Sequence, residues 1–245
     1  MKRDYRLILF DCFNTLFLPH EPALPRLEVD GRTVMSTAGL LQAALAPHYP
    51  DIDAATIHHA LRETWRWAEG QRGTACREIS APVRMRHLFH VLGLAVVEDL
   101  VEPLVWVHMR ALLQSYRLPA AHRDLLARLR ERYAMAIFSN FDYAPGLNRL
   151  LQEHDLVPWF DPVVVSDTLG YRKPGRIAFE RAVALAGAPA ASILFVGDSY
   201  EDDVVGAVAA GIDVAWFNAA GAPPAGTARP THELRELPAL ADLLA

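Results

Sequence analysis

Four short apolar runs in this chain each end on a polar residue that can take part in chemistry. The runs and the residues that follow them are Leu7–Phe10 before Asp11, 135–138 before Ser139, Val163–Val165 before Ser166, and 193–196 before Gly197 and Asp198. Short runs of this composition, bounded by turn residues, are typical of strands buried on both faces of a parallel sheet. Ligands of open parallel sheets bind just outside the carboxyl ends of the strands. We therefore expect Asp11, Ser139 and Asp198 to meet at one edge of a sheet and to form an active site there.

The two strand-end carboxylates indicate a metal site. Asp11 and Asp198 would repel each other at neighbouring strand ends unless a cation lay between them. Hard oxygen ligands suit Mg²⁺, which proteins usually hold with one or two carboxylates, phosphate oxygens and waters. A carboxylate can also be a covalent nucleophile that forms an aspartyl-phosphate. Ser139, with the backbone N–H groups near it, and Lys173, at the start of a predicted helix, suit a phosphate dianion.

The segments that contain these residues closely resemble the four motifs of the haloacid dehalogenase-like hydrolase superfamily, in the branch with a helical cap between the first and second motifs. The first motif, Asp-x-Asp-x-Thr, appears at residues 11–15 as Asp-Cys-Phe-Asn-Thr. The second-motif Ser or Thr falls on Ser139, which Asn140 follows, and the third-motif Lys falls on Lys173, within a Lys-Pro pair. The fourth motif, Gly-Asp-Ser-x-x-Asn-Asp-x-x-Gly-Ala, falls on residues 197–207, with Asp in place of the common Asn. The resemblance covers essentially the whole core, whereas the cap is matched in position and character alone.

The resemblance implies that Asp11 is the nucleophile and that the cofactor is Mg²⁺. The metal ligands would be the carboxylates of Asp11 and Asp198 and the backbone carbonyl of Phe13. Asp203 would belong to the same metal site, behind these ligands.

The resemblance also implies roles for the residues around the phosphoryl group. Ser139 and Lys173 would orient this group and neutralise its charge, and Thr15 would fix the loop of the first motif. Together with Asp11, these residues form the predicted catalytic set. Asn140 joins Ser139 and Lys173 in the predicted substrate-binding set, although it could instead shape the loop that follows Ser139.

One position departs from the phosphatases of this superfamily. They use the second Asp of the first motif as a general acid and base, and this chain has Phe13 there. Such catalysis typically contributes about 10²–10⁴-fold to the rate. Superfamily members with an aromatic residue at that position include the 2-haloacid dehalogenases, but they need no metal and replace the Gly-Asp motif that this chain keeps. Phosphonate-cleaving relatives use a cap lysine as a Schiff base. The only lysines in this sequence are Lys2 and Lys173, so that mechanism is excluded.

Three hypotheses about function follow. The leading one is a Mg²⁺-dependent phosphatase of a small phosphorylated metabolite. The second is a 2-haloacid dehalogenase-type hydrolase that forms an aspartyl ester. The third is a weakly catalytic protein that binds phosphate compounds, or a protein partner through its cap. If the protein is a phosphatase, His20, Glu21 or Asp142 could supply the proton that Phe13 cannot.

The elements that would carry these residues follow from hydrophobic periodicity. Residues 27–34 contain an Asp-Gly turn between short apolar and polar alternations, which favours a β-hairpin. Four helical segments follow, opened by Ser36, Asp53, Pro82 and Glu98, with no buried-strand pattern between residues 35 and 118. From residue 119 onward helices alternate with strands, as in right-handed βαβ units. The helices are predicted at 121–132, 145–153, 174–186 and 202–210, and the strands at 135–139, 162–166, 193–198 and 213–217.

These elements predict an α/β fold with a Rossmann-like parallel-sheet core. The core would consist of residues 1–18 and 117–245, and an all-helical cap domain at residues 19–116 would interrupt it after the first strand. All the predicted catalytic, substrate-binding and metal-site residues lie on the core.

Composition limits the partners of this 245-residue chain. Charged residues make up 22% and hydrophobic residues 52%, as in ordinary globular proteins, and the net charge of −5 gives no reason to expect a nucleic-acid partner. Cys12 and Cys76 cannot form a disulfide framework and belong to no Cys/His metal pattern. The apolar run Leu7–Phe10 is too short for a secretory signal, and no run approaches a membrane span. We therefore expect a soluble, cytoplasmic protein with a small-molecule substrate and no membrane partner, and leave its oligomeric state open.

Overall fold

A six-stranded parallel sheet organises the fold. The computed structural model describes residues 4–20 and 24–245. Within them the strands are β1 (Leu7–Phe10), β2 (Leu18–Pro19), β3 (Arg26–Val29), β4 (Arg32–Met35), β5 (Tyr116–Arg117), β6 (Ala134–Ser139), β7 (Val163–Val165), β8 (Ile193–Gly197), β9 (Asp213–Phe217) and β10 (His232–Leu234). The strand order of the large sheet is β10-β9-β8-β1-β6-β7, and each neighbouring pair is parallel. This order and direction confirm the predicted α/β fold with a Rossmann-like core.

The register of the central strands explains why the predicted residues meet. β1 lies between β6 and β8, and all four of its residues are buried. Phe10, the last residue of β1, is level with Ile137 of β6 and Val196 of β8. Because the three strands are parallel in this register, Asp11 and Asp198 emerge at the same edge as the end of β6.

Helices cover both faces of the sheet. The helices are α1 (Ala38–Leu45), α2 (Ala54–Arg72), α3 (Ala81–Val91), α4 (Glu98–Gln114), α5 (Ala120–Leu129), α6 (Ala144–Glu153), α7 (Ser166–Leu169), α8 (Arg176–Ala186), α9 (Gly206–Ala209) and α10 (Leu240–Leu243). Ile8 and Phe10 of β1 belong to a hydrophobic cluster with residues of α5 and α6. Leu7 and Leu9 point to the other face, into a cluster with residues of α8 and α9. This alternation is the period of two that a strand buried on both faces requires.

The segment between β2 and β5 contains the predicted hairpin and then the four predicted helices. In the hairpin, β3 pairs antiparallel with β4, and the turn residues Asp30 and Gly31 have φ angles of 50° and 71°. The N terminus of α2 is capped by Asp53, whose carboxylate accepts a hydrogen bond from the Thr56 N–H at 2.7 Å. Helices α1–α4 supply all the buried residues of a third hydrophobic cluster except Tyr143. The domain boundaries at residues 18 and 117 stay a prediction.

Several short elements differ from the sequence-based expectation, and two of them concern the site and the large sheet. The helix predicted at 202–210 begins with a π-helical turn, Tyr200–Val205, before α9. Single π-helical turns occur frequently at functional sites, and this one carries the buried side chain of Asp203. The sixth strand of the sheet, β10, was not predicted, because three residues of mixed polarity carry no strand pattern. No helix among the described residues combines the length and the apolar character that crossing a membrane requires.

Candidate active site

A cavity of about 360 Å³ lies at the carboxyl ends of the central strands. All the predicted site residues except Thr15 line it, namely Asp11, Phe13, Ser139, Asn140, Lys173, Asp198 and Asp203. The other residues of the lining are Asn14, Arg172, Ser199 and Asp202. The convergence predicted from the strand ends is therefore present in the structure.

Asp11 is held in one orientation at the floor of this cavity. Its Oδ1 accepts a hydrogen bond from Lys173 Nζ at 2.7 Å, and its Oδ2 accepts one from Thr15 Oγ1 at 3.1 Å. The loop after Asp11 is tight, because Asn14 adopts a left-handed conformation with φ of 64° and donates its N–H to the Phe17 carbonyl at 2.7 Å. This turn brings Thr15 back beneath the carboxylate that it follows in sequence.

Thr15 connects two carboxylates rather than lining the cavity. Its Oγ1 lies 3.1 Å from Asp11 Oδ2 and 3.2 Å from Asp198 Oδ1, and the residue is fully buried. A hydroxyl has one proton to donate, so a single carboxylate can accept it at a time. Thr15 thus holds the two carboxylates at a fixed separation without neutralising either charge.

Lys173 is a buried ammonium between two carboxylates. Its Nζ donates to Asp11 Oδ1 at 2.7 Å and to Asp203 Oδ1 at 2.6 Å, and the residue is 1% exposed. Burial alone would lower the pKa of Lys173, but the charges of these two carboxylates outweigh burial and raise the pKa above its ordinary value. The side chain is therefore a permanent cation at the edge of the cavity.

Asn140 clamps the backbone that carries this lysine. Its Nδ2 donates to the Lys173 carbonyl at 3.0 Å, and its Oδ1 accepts from the Lys173 N–H at 2.8 Å. The same Nδ2 also donates to Asp202 Oδ2 at 3.1 Å. These contacts are those of a residue that shapes the loop, and the assignment of Asn140 to substrate binding stays a prediction.

Asp203 is buried and fully engaged. Its Oδ1 accepts from Lys173 Nζ and its Oδ2 accepts from the Ser199 N–H at 2.9 Å. Burial raises the pKa of Asp203, and the adjacent Lys173 opposes this effect. Gly197 is required beside it, since a Cβ at that position would clash with the Asp203 carboxylate.

Asp198 is the carboxylate of the site whose negative charge is balanced least by neighbouring groups. Among the described residues it has no ion pair, and Thr15 is the side chain within hydrogen-bond distance of it. Burial, followed by the negative charge of Asp11, raises the pKa of Asp198 to about 6. One carboxylate oxygen from each of Asp11, Asp198 and Asp203 lies within 4.8 Å of the others. Three carboxylates facing the ammonium of Lys173 leave the site with excess negative charge.

Ser139 presents a hydroxyl with no partner. It is the last residue of β6 and is 1% exposed, and its Oγ has no hydrogen-bond partner among the described residues. A buried polar atom left unsatisfied costs about 1–3 kcal/mol. Because the residue lines the cavity, a ligand there could supply the missing hydrogen bond.

The wall of the cavity at Phe13 is aromatic. The ring centroid of Phe13 lies 4.9 Å from those of Tyr116 and Phe141.

Neither His20 nor Asp142, two of the candidates for the missing acid, lines the cavity. His20 Nε2 lies 3.0 Å from the Gln114 carbonyl oxygen, and Asp142 pairs with Arg84. Glu21, the third candidate for the missing acid, lies outside the described residues.

One lining residue that sequence reasoning did not assign is Arg172. Its guanidinium is partly buried and lies 3.8 Å from Glu78 Oε2. Arg172 is therefore a second cation in the lining of the cavity, next to Lys173. Its position directly before Lys173 was the available signal, but an arginine next to a motif lysine is equally compatible with a solvent-exposed side chain.

The chain is similar in sequence to several known proteins. A family model described as a haloacid dehalogenase-like hydrolase matches residues 5–211. YfnB of Bacillus subtilis (strain 168) is 26% identical over 250 residues, which cover 100% of this chain and 97% of that protein. The phosphoglycolate phosphatase of Pseudomonas savastanoi pv. phaseolicola (strain 1448A / Race 6) is 30% identical over 210 residues, which cover 82% of this chain and 71% of that protein.

Solved structures share the fold. A 2-haloacid dehalogenase from Pseudomonas syringae pv. Tomato DC3000 has a TM-score of 0.68 at 20% identity, with 98% of each chain covered. The crystal structure of YfnB bound to magnesium has a TM-score of 0.62 at 23% identity, with 99% of each chain covered. These similarities bear on the architecture of the chain and not on its substrate.

Proposed function

Because the chain belongs to the haloacid dehalogenase-like hydrolase family, we propose that this hydrolase is a Mg²⁺-dependent phosphatase of a small phosphorylated metabolite. The reaction proceeds through an aspartyl-phosphate on Asp11. The observation that carries the proposal is the charge of the cavity. The carboxylates of Asp11, Asp198 and Asp203 offer oxygens within 4.8 Å of one another, next to the Lys173 ammonium.

Asp11 is the nucleophile in this proposal. One of its carboxylate oxygens attacks phosphorus while the bond from phosphorus to the leaving oxygen breaks, and that oxygen keeps the bonding electrons. Water then attacks the phosphorus of the aspartyl-phosphate, which releases inorganic phosphate and restores the carboxylate. The hydrogen bonds from Lys173 and Thr15 hold Asp11 in place, so that the carboxylate does not have to reorganise before attack.

The residues at the cavity floor fit Mg²⁺ by the chemistry of their donors. Three carboxylates and one ammonium leave a net negative charge, and carboxylate and carbonyl oxygens are the protein ligands that Mg²⁺ prefers. Asp11, Asp198 and the backbone carbonyl of Phe13 would hold the ion, with Asp203 behind them. Bound Mg²⁺ would offset the repulsion between the Asp11 carboxylate and a phosphate dianion.

Two further groups bind the phosphoryl oxygens. The Ser139 hydroxyl, which has no partner among the described residues, donates a hydrogen bond to one of them. The Lys173 ammonium lies beside the nucleophile and stabilises the negative charge that the transition state spreads over the phosphoryl group. The phosphoglycolate phosphatase among the relatives supports hydrolysis of a phosphomonoester as the reaction class.

The second candidate function is hydrolysis of a 2-halo acid through an aspartyl ester on Asp11. The observation that favours it is Phe13, an aromatic residue in the cavity wall where a phosphatase needs an acid. A halide leaving group requires no proton, so this wall would not slow the reaction. The surplus of carboxylates around Asp198 argues for the metal-dependent alternative.

One experiment separates these functions. Phosphate and halide release are measured in parallel from phosphomonoesters and 2-halo acids, with Mg²⁺ and with EDTA. The phosphatase proposal expects phosphate release that EDTA abolishes and that Asp11→Asn removes, whereas Asp242→Asn, at an exposed aspartate near the C terminus, retains it. Halide release that resists EDTA would establish the dehalogenase instead. Binding of phosphate compounds without release of either product would support the weakly catalytic alternative.

A further inference from the structure

A second cavity, of about 400 Å³, lies within the inserted segment, between the end of the hairpin and helices α2, α3 and α4. One part of its lining is apolar and includes Met35, Leu61, Trp65 and Leu112. Met35 is 40% exposed and Trp65 is 54% exposed, so these side chains offer contact area that the protein itself does not cover. Exposed apolar surface that lines a cavity marks a place where a ligand or partner binds.

The other part of the lining is cationic. Arg62, Arg66 and Arg84 line the cavity, and no carboxylate does among the described residues. Arg62 and Arg66 are exposed, lie one helical turn apart on α2, and form no ion pair within the described parts of the chain. Like charges at this spacing repel each other, and an anion bound between them would relieve that repulsion.

Arg84 adds a hydrogen-bond donor that is not satisfied. It forms an ion pair with Asp142, but its Nε is buried and has no partner among the described residues. An anionic ligand would accept this hydrogen bond and would also balance the charges of the two exposed arginines. Planar guanidinium groups suit carboxylates and phosphates in particular.

Two histidines contribute neutral polar groups to the same lining. His58 Nδ1 lies 3.0 Å from Ser36 Oγ, and His108 Nδ1 lies 2.7 Å from Thr37 Oγ1. Each ring is thereby oriented through Nδ1, and its Nε2 has no partner among the residues that the structure describes. Nε2 can hydrogen-bond to a polar atom of a ligand in this cavity.

Two sets of contacts link this cavity to the loops of the catalytic cavity, with which it shares no lining residue. Arg84 pairs with Asp142, and the Ala81 N–H donates to the Asp142 carbonyl at 2.7 Å. Asp142 lies two residues beyond Asn140, in the loop that lines the catalytic cavity. On the other side, Leu112 belongs to α4, which ends just before Tyr116, and the Tyr116 ring contacts Phe13. The second cavity therefore lies on the cap side of the loops that carry Asn140 and Phe13.

We propose that this cavity binds the leaving group of the substrate, and that the leaving group is an organic anion with an apolar body. The carboxylate or second phosphate of this group contacts Arg62, Arg66 and Arg84, and its carbon frame packs against Leu61 and Trp65. The inference rests on the proposed phosphatase function, because it assigns a substrate class to that active site. It predicts that the enzyme prefers phosphomonoesters that carry a second negative charge.

The kinetic test compares phenyl phosphate with its para-carboxylate, which differ by the anionic group. The wild-type enzyme is expected to have the higher kcat/KM for the carboxylated substrate. In the double variant Arg62→Gln/Arg66→Gln the ratio of the two kcat/KM values should fall by about tenfold or more, as expected when charge-assisted hydrogen bonds are lost. Taking this ratio cancels the electronic effect of the carboxylate on the leaving oxygen. Arg128→Gln, at an exposed arginine of core helix α5, should keep the wild-type ratio.

A binding measurement separates failure of this inference from failure of the proposed function. Calorimetric titration of the unmodified protein with 4-hydroxybenzoate, and with phenol as the neutral control, needs no turnover. If no phosphomonoester is hydrolysed, binding of 4-hydroxybenzoate that the double variant weakens would still support the anion site. A ratio of kcat/KM values that the double variant leaves unchanged, or equal binding of 4-hydroxybenzoate by both proteins, would overturn the inference while the phosphatase proposal stands. Both arginines are exposed on α2, so their replacement does not disturb the packing of the helix.

Discussion

The Nζ of Lys173 lies 2.6 Å from Oδ1 of Asp203, and the side chain of each residue is 1% exposed. A buried ion pair of this kind adds little net stability relative to apolar residues, but removal of one partner leaves a buried charge uncompensated, at a cost of about 3–5 kcal/mol. The stability of this edge of the sheet therefore depends on the Lys173 ammonium, which the proposed reaction also uses. Both consequences can be measured at Lys173.

Lys173→Ala is expected to lower both turnover and stability. Loss of a preorganised electrostatic group should remove roughly 2–4 kcal/mol of transition-state stabilisation, which is measured as kcat/KM. The free energy of unfolding in EDTA, measured by urea denaturation, should fall because Asp11, Asp198 and Asp203 then face one another without a cation. Arg176→Ala, at an exposed arginine of α8, is the matched control. A change of less than tenfold in kcat/KM would mean that Lys173 is peripheral to the reaction.

Asp198→Asn is expected to weaken Mg²⁺ binding. Asp198 has no ion pair among the described residues, and the charge surplus of the site is expected to draw the metal toward it. We expect the Kd for Mg²⁺, measured by calorimetry, to rise by at least about 10–100-fold, a range seen for partners of metal sites. Asp202→Asn removes a carboxylate from the same cavity that lies outside the close group of three. An equal loss of affinity in the two variants would contradict the assignment of Asp198 as a ligand.

Ser139→Ala should change stability and activity in opposite directions. Without ligand, the variant removes a buried hydroxyl that has no partner among the described residues, so the free energy of unfolding should stay level or rise by up to about 1 kcal/mol. Activity should fall, because the phosphoryl group loses one hydrogen bond. The measurements are urea denaturation without ligand and kcat/KM with Mg²⁺. Lower stability combined with unchanged kcat/KM would identify Ser139 as a structural residue.

The part of the site that could be predicted from sequence is the part that strand ends determine. Asp11, Ser139 and Asp198 follow short apolar runs, and parallel strands in register bring such positions together whatever the loops between them contain. The clamp of Asn140 on Lys173 and the pair of Lys173 with Asp203 join residues 33 and 30 positions apart. No periodic pattern encodes those contacts, because they depend on the path of two loops and on a π-helical turn.

The second cavity, lined by Arg62, Arg66 and Arg84, illustrates the same limit more strongly. The apolar periodicity of α2 around Leu61 predicted a helix and a buried face, and the structure confirms the helix. Whether Arg62 and Arg66 face open solvent or a shared cavity depends on how α2 crosses α3 and α4. That crossing follows from the packing of the third hydrophobic cluster and not from any one segment.

Acid is expected to destabilise the protein through His108. Burial, with the charge of Arg84 adding to it, lowers the pKa of His108 to about 4, so the ring stays neutral in the folded protein. The unfolded chain binds a proton near pH 6.5, and stability is therefore complete above that pH and is lost as the pH falls toward 4. Between pH 7 and pH 5 the wild-type protein should lose about 1–2 kcal/mol more unfolding free energy than His108→Asn. His90→Asn, at an exposed histidine of α3, serves as control and should follow the wild type.

Phe13 is expected to make the enzyme slow and selective for good leaving groups. With a ring in place of an acid, the departing oxygen must leave as an anion or take a proton from water. Aryl and acyl phosphates leave readily as anions and alkyl phosphates do not, so log kcat/KM should fall steeply as the pKa of the leaving group rises. The measurement is a series of aryl phosphates that carry the same charge and differ in substituent, extended to one alkyl phosphate.

Phe13→Asp provides the second half of this test. The ring lies against Tyr116 and Phe141, so the new carboxyl group would be partly desolvated and able to donate a proton. If Phe13 sets the leaving-group dependence, this variant should gain alkyl phosphate turnover and show a shallower slope, while Phe13→Leu keeps the steep slope of the wild type. A flat dependence in the wild type would contradict the prediction and would mean that another group protonates the leaving oxygen. The variants His20→Gln, Glu21→Gln and Asp142→Asn would then be compared. The variant in which the slope becomes steep would identify the group that protonates the leaving oxygen.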